Sequence, residues 1–173
     1  MCLLGQVQDE FGTIEIMGYG YRSSEGVKNG AIVNLGAAEA SIREAVHMAE
    51  NLAAEKLKGY PLRDVVVSVS ACHAYSSFVE ASVDVRGNPI SKKDIERGLV
   101  KAQHQVLDTQ DAELIHTIPA AYWLDGQGGI SDPVGMVGEE LNLNIHIVMG
   151  DTSGIRNLAA SVKRSHLDIS ALC

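Results

Sequence analysis

A chain of 173 residues, 46% hydrophobic and 21% charged, has room for one domain, or one domain with part of another. Its balance is that of a folded, cytosol-type protein and not of a disordered one. The formal net charge of −8 argues against nucleic acid as the main partner, because affinity for the phosphate backbone comes from clustered Lys and Arg, and the basic pairs Lys92-Lys93 and Lys163-Arg164 read as solvated helix faces.

Three widely spaced cysteines, Cys2, Cys72 and Cys173, fit neither a disulfide scaffold nor a CxxC metal site and point to a reducing compartment. No run approaches the ~18 apolar residues of a membrane span, and the start Met1-Cys2-Leu3-Leu4-Gly5 lacks the basic region of an export signal.

In chain order, Leu3 to Val7 and Thr13 to Met17 read as two strands around the polar turn Gln8-Asp9-Glu10. A loop rich in Gly and Ser runs from Gly18 to Gly30. Ala31 to Leu35 is a short strand leading into a helix whose Ile42, Ala45, Val46, Ala49, Leu52 and Ala53 share one face. That face is expected to pack on the sheet that follows. Its strands would be Asp64 to Ser70 and Ser77 to Val85, the latter with Val79, Ala81, Val83 and Val85 on one side and Glu80, Ser82 and Asp84 on the other.

Gly87-Asn88-Pro89 closes that strand. Ser91-Lys92-Lys93-Asp94 then matches a capping box, with Ser91 expected to accept from the backbone N–H near Asp94. The helix continues through Ile95, Leu99, Ala102 and Val106. Strands follow at Glu113 to Ile118 and Ala120 to Leu124, divided at Pro119. The next, Leu141 to Met149, has Leu141, Leu143, Ile145 and Ile147 on one face and Asn142, Asn144 and His146 on the other. A last helix starts after Ser153, with Ile155, Leu158, Ala159 and Val162 as its buried stripe.

Leu167 to Leu172 reads as a final half-buried strand. Because strands begin almost at residue 1 and run to the end, and each needs a neighbour for its backbone groups, flanking sequence is expected. The order is a mixed α/β (α+β) arrangement without internal repeats.

No constellation supplies a chemical centre. Gly18-Tyr19-Gly20 lacks the third glycine and the helix start of a dinucleotide loop and reads as a turn leaving a strand. Asp125 to Gly129 has no Gly-Lys-Ser/Thr and reads as a surface connection. The six histidines show no HExxH or HxxxH spacing. Cys72 and His73, adjacent on an extended chain, would project apart. No GxSxG elbow occurs, and Ser153-Gly154 reads as a helix cap. The features suited to binding are Glu80, Ser82 and Asp84 on a polar strand face, with the loops at Arg86-Gly87-Asn88 and Asp125 to Asp132, where Arg86, Asn88, Asp125 and Gln127 are the further candidates.

The wording of the sequence adds a family. Gly26 to Asn34, Ser41 to Val46 with Ala49-Glu50, Val67 to His73, Ile90 with Asp94 to Arg97, and above all Ile115 to Pro119, Leu124 to Ile130, Asp132 to Met136 and His146 to Val148 together resemble the bacterial cell-division family FtsA, in order. Asn34 stands where that family usually carries an acidic residue, and Ala71-Cys72-His73 where it has a glycine-containing turn.

The resemblance implies an incomplete actin-like (ribonuclease H-like) subdomain at 1–30 and 137–173, with the family's inserted strand-helix-strand-strand subdomain at 31–136. It also implies a cytoplasmic adaptor at the division site on the inner membrane, which binds FtsA itself and other division proteins. FtsZ and the membrane would be engaged through parts outside this stretch. The family's ATP and Mg would bind phosphate loops on either side of it, so no catalytic, cofactor or metal residue is expected here. The alternatives are a nucleotide-binding actin-like ATPase segment and a pilus-assembly relative with the same insertion.

Overall fold

The computed structural model describes residues 1–69, 74–106 and 112–173. The chain divides into two compact units, one formed by Met1–Cys72 with Ser153–Cys173 and the other by His73–Thr152. The sequence reading put the borders of the insertion at 31 and 136; the contacts divide the chain elsewhere. The helix after residue 34 packs with the first hairpin, whereas the strand from 140 lies at the centre of the second unit's sheet.

In the first unit β1 (Cys2–Val7) pairs antiparallel with β2 (Ile14–Gly20). The two-residue strands β3 (Val27–Lys28) and β4 (Ala31–Ile32) form a small hairpin. Asn29 and Gly30 both have positive φ there, 50° and 81°, the conformation in which the turn's twist matches that of the strands. Asn34 starts α1 (Leu35–Leu52), its Oδ1 accepting the Ala37 N–H at 3.1 Å. A one-turn helix α2 (Ala54–Leu57) follows, and β5 (Asp64–Val67) then pairs in parallel with the last strand, β10 (Asp168–Leu172). Both terminal strands therefore have neighbours within the chain.

The face of α1 was expected against the following strands. It lies instead on the preceding hairpin. Leu4, Ala49 and Ala53 form the buried cluster, flanked by Cys2, Met17, Leu57 and Leu62, while Leu52, assigned to the same stripe, is exposed. Gly18 and Gly20 explain the choice. A Cβ on Gly18 would stand 2.3 Å from the Ala49 carbonyl oxygen, and one on Gly20 1.7 Å from that of Ala45. Gly18-Tyr19-Gly20 is neither a phosphate loop nor a turn but the part of β2 over which the helix backbone passes.

The second unit is a four-stranded sheet in the order β6-β9-β7-β8, built from β6 (Ala74–Asp84), β7 (Ala112–Leu124), β8 (Gln127–Ile130) and β9 (Glu140–Asp151). All its pairings are antiparallel. Between β6 and β7 the helix α3 (Lys92–Val106) contacts β6, β9 and β7. Leu141, Leu143, Ile145 and Ile147 of β9 have essentially no exposed surface and meet Ala81, Val83 and Val85. At about 1.5–3 kcal/mol for each large side chain buried, this alternation fixes the register of the central strand.

Pro119 does not divide the third strand; β7 runs through it with a register shift between Pro119 and Ala121, as expected where a ladder lacks a donor. The helix α4 (Thr152–Arg164) begins one residue before Ser153 and buries Ile155 and Val162. The Cys72-His73 pair and the end of the strand reading at Ser70 lie outside the described residues.

Candidate functional site

The sequence-chosen residues lie on the two opposite edge strands of the second unit's sheet and in the turns beside them. Glu80, Ser82 and Asp84 are exposed on β6, which borders only β9 and so forms an edge of its sheet. At its end Arg86 and Gly87 take φ of 53° and 70°, and the Asn88 N–H donates to the Val85 carbonyl at 3.0 Å to close a turn. The Asn88 side chain reinforces it by donating to the same carbonyl at 3.0 Å. Asp125 and Gly126 form a second such turn, with φ of 51° and 83°, between β7 and β8. There the Asp125 carboxylate accepts the Glu139 and Glu140 N–H groups, both at 2.9 Å to one oxygen. Asp125 is thus committed to holding the entry of β9, while Gln127 is exposed at the start of β8.

The two turns flank one segment. A Cβ on Gly87 would lie 3.4 Å from Oε1 of Glu139, and one on Gly138 2.8 Å from Oδ2 of Asp125.

Beside the β6 edge runs a polar groove lined by Asp84, Arg86, Asn88, Asp94, Arg97 and Lys101, with Val83 and Val85 at its base. The sequence reading missed its helical wall. Arg97 and Lys101 stand four residues apart on α3, a spacing that sets side chains on one helix face, and charge distribution carried the signal. Every Lys and Arg between residues 73 and 152 falls within Arg86 to Lys101.

Lys101 Nζ donates to the Ser82 carbonyl at 2.8 Å and Gln105 Nε2 to the Glu80 carbonyl at 3.2 Å. The helix thereby supplies two donors to the strand edge. Arg86 pairs with Asp84 at 3.0 Å, both side chains well exposed, a contact worth about 0–1 kcal/mol.

Asp94 anchors the start of α3. Its carboxylate accepts the Ser91 N–H at 2.8 Å and the Ser91 hydroxyl at 2.6 Å, and pairs with Arg97. These bonds, those from Ser91 foremost, lower its pKa from 3.8 to about 2. Only the reciprocal half of the expected capping box forms, since the Ser91 hydroxyl donates to Asp94 and does not accept from the helix.

On the outer sheet face Phe78 stacks on His146, ring centres 4.9 Å apart, and Ser82 and Asn142 are hydrogen-bonded. Among the described residues no group of three or more His, Cys, Asp and Glu is placed to hold a metal, and no helix is long and apolar enough to cross a membrane.

Residues 72–149 match the family model described as the SHS2 domain inserted in FtsA, a span that nearly coincides with the second unit. A cell division protein FtsA from Rhizobium meliloti is 35% identical over 160 residues, 92% of this chain and 35% of the relative. The chain belongs to the FtsA family. FtsA of Pseudomonas aeruginosa is 29% identical over 98% of the chain and 39% of its own length, and that of Bacillus subtilis 28% over 99% and 38%. The chain thus spans little more than a third of the FtsA relatives it matches. A solved PilM-PilN type IV pilus biogenesis complex has the same fold, with a TM-score of 0.61 at 13% identity over 98% of this chain and 43% of that one. The mixed α+β architecture with an SHS2 domain of the FtsA type agrees with the sequence reading.

Proposed function

We propose that this stretch is the docking module of an FtsA-type division protein, which binds other FtsA copies and other division proteins and neither holds nor hydrolyses nucleotide by itself. The observation that carries the reading is the match of residues 72–149 to the FtsA SHS2 domain, a unit with its own core and with an exposed strand edge beside a charged groove. Edges of this kind take partners by adding backbone hydrogen bonds. In the whole protein, ATP and Mg, FtsZ and the inner membrane would be engaged by sequence outside this span, and the protein would work on the cytoplasmic face at the division site.

Sedimentation of the chain with full-length FtsA of Rhizobium meliloti tests the docking role. Co-sedimentation is the expected result, and no association at any concentration up to the solubility limit overturns the reading. Calorimetric titration with Mg-ATP tests the second part. No heat of binding is expected, and a saturable heat would identify the stretch as a nucleotide-binding ATPase segment instead.

A further inference from the structure

The basic residues of the second unit, Arg86, Lys92, Lys93, Arg97 and Lys101, all lie on the β6–α3 connection and on α3, which also carries the acidic Asp94 and Glu96, while Glu80, Asp84, Glu113, Asp125, Asp132, Glu139 and Glu140 lie on the strands and the turns between them. In a chain of net charge −8 the groove brings three cations, Arg86, Arg97 and Lys101, together against two carboxylates, Asp84 and Asp94, a local excess of positive charge that favours anionic partners.

That groove lies at the end of an edge strand of eleven residues, where Val83 and Asp84 line it. The carbonyls of Glu80 and Ser82 point away from β9, and α3 reaches them with two long, flexible side chains, Gln105 and Lys101. An ammonium or amide donor in that position does what the N–H of a neighbouring strand would do. Both donors sit on rotatable stems, so they can be exchanged for backbone without unfolding anything.

We propose, resting on the docking role above, that an extended acidic segment of a partner protein adds to the β6 edge. Its backbone N–H groups take over the Glu80 and Ser82 carbonyls from Gln105 and Lys101. Its side-chain carboxylates pair with the released Lys101 ammonium and with the guanidinium groups of Arg97 and Arg86. The exchange returns the exposed Gln105 amide to solvent, and binding replaces a lysine–carbonyl contact by a lysine–carboxylate contact, which is the stronger of the two. Strand addition supplies affinity, and the cations select for acidic side chains.

The test uses the whole chain and a fluorescein-labelled peptide of about ten alternating Glu and Thr residues, long enough to lie along an edge strand. Fluorescence anisotropy should show saturable binding that weakens at least about tenfold between about 0.05 and 0.3 M salt. The double variant Arg97→Glu/Lys101→Glu should weaken it by at least about tenfold, and so should Arg86→Glu, a second variant on an exposed turn that leaves α3 intact. Far-UV circular dichroism checks that each variant is folded. A Lys-Thr peptide of equal length should not bind, nor should the Glu-Thr peptide N-methylated at every residue, which cannot donate to the edge carbonyls.

Absence of binding by the acidic peptide, equal binding to the charge-reversed variants, equal binding of the N-methylated peptide, or preferential binding to phosphatidylglycerol vesicles would each overturn the proposal. If the Arg97→Glu/Lys101→Glu chain still co-sediments with full-length FtsA while no acidic peptide binds, only the edge proposal falls. If neither form co-sediments, the docking role itself falls.

Discussion

Asp94 shows how one carboxylate can set the start of a helix. Its three acceptances, from the Ser91 N–H, the Ser91 hydroxyl and the Arg97 guanidinium, all favour the ionised form, which is why its pKa is depressed to about 2. The folded value lies below the ordinary 3.8, so the stabilisation is complete above that value and is lost as pH falls through the folded one. Asp94→Asn should therefore lower stability near neutrality by about 1 kcal/mol, the usual cost of a lost helix-start bond. Thermal melts of both proteins from pH 7 down to 2 should show the gap closing below about pH 4. A gap that stays constant to pH 2 would mean that the carboxylate's charge is irrelevant there. The same loss would slacken the wall of the groove, since Arg97 is oriented by Asp94.

At the scale of elements, the contact between α1 and the β1–β2 hairpin depends on what two positions lack. With no Cβ at Gly18 and Gly20, the Ala45 and Ala49 turns of the helix lie directly on the strand. Gly20→Ala would drive a methyl group into a backbone carbonyl that cannot rotate away, so the helix must lift. The expected cost is about 3 kcal/mol, the upper end for overpacking, read as a lower urea midpoint. Gly12→Ala provides the contrast, because nothing lies within 4 Å of a Cβ there, although its φ of +80° disfavours alanine. An equal loss in both would show that close approach is not what the Gly20 position provides.

These elements also mark where sequence reading succeeds. The alternation in β6 and β9 and the apolar stripe of α3 were legible, because a strand covered on one face and a helix covered on one side write their burial into a fixed period. Which sheet a helix covers is a tertiary choice. The pair of glycines that decides it looked like loop, and the stripe of α1 says only that some face is buried. Asn29-Gly30, absorbed into the same loop, was a readable hairpin signal. At the site, exposed polar residues on β6 and in its turn were found from chain position alone. Arg97 and Lys101 escaped notice because the helix was read for its apolar residues, and its charged face was taken as solvent-facing.

At the scale of the whole molecule, the two units hold unequal cores. The second contains a contiguous cluster from Ala81 to Met149, with four β9 side chains essentially without exposed surface. The first buries little more than Leu4 and alanines in its cluster and leaves Leu3, Ile14, Ile16 and Tyr19 more than half exposed on its hairpin. Since hydrophobic stabilisation scales with the apolar area removed from water, the two should not unfold together. Trp123, the single tryptophan, reports on the second unit from β7. Helical circular dichroism is weighted towards the first, which contains α1 and α4. In urea the helical signal should begin to fall at a lower concentration than the tryptophan fluorescence, and native-state hydrogen exchange should leave the β9 amides slowest of all. Coincident transitions by both probes would mean that the first unit draws its stability from the second. Separate transitions would mean that the groove and the β6 edge can hold their geometry while the first unit is open, as a docking module with its own core should.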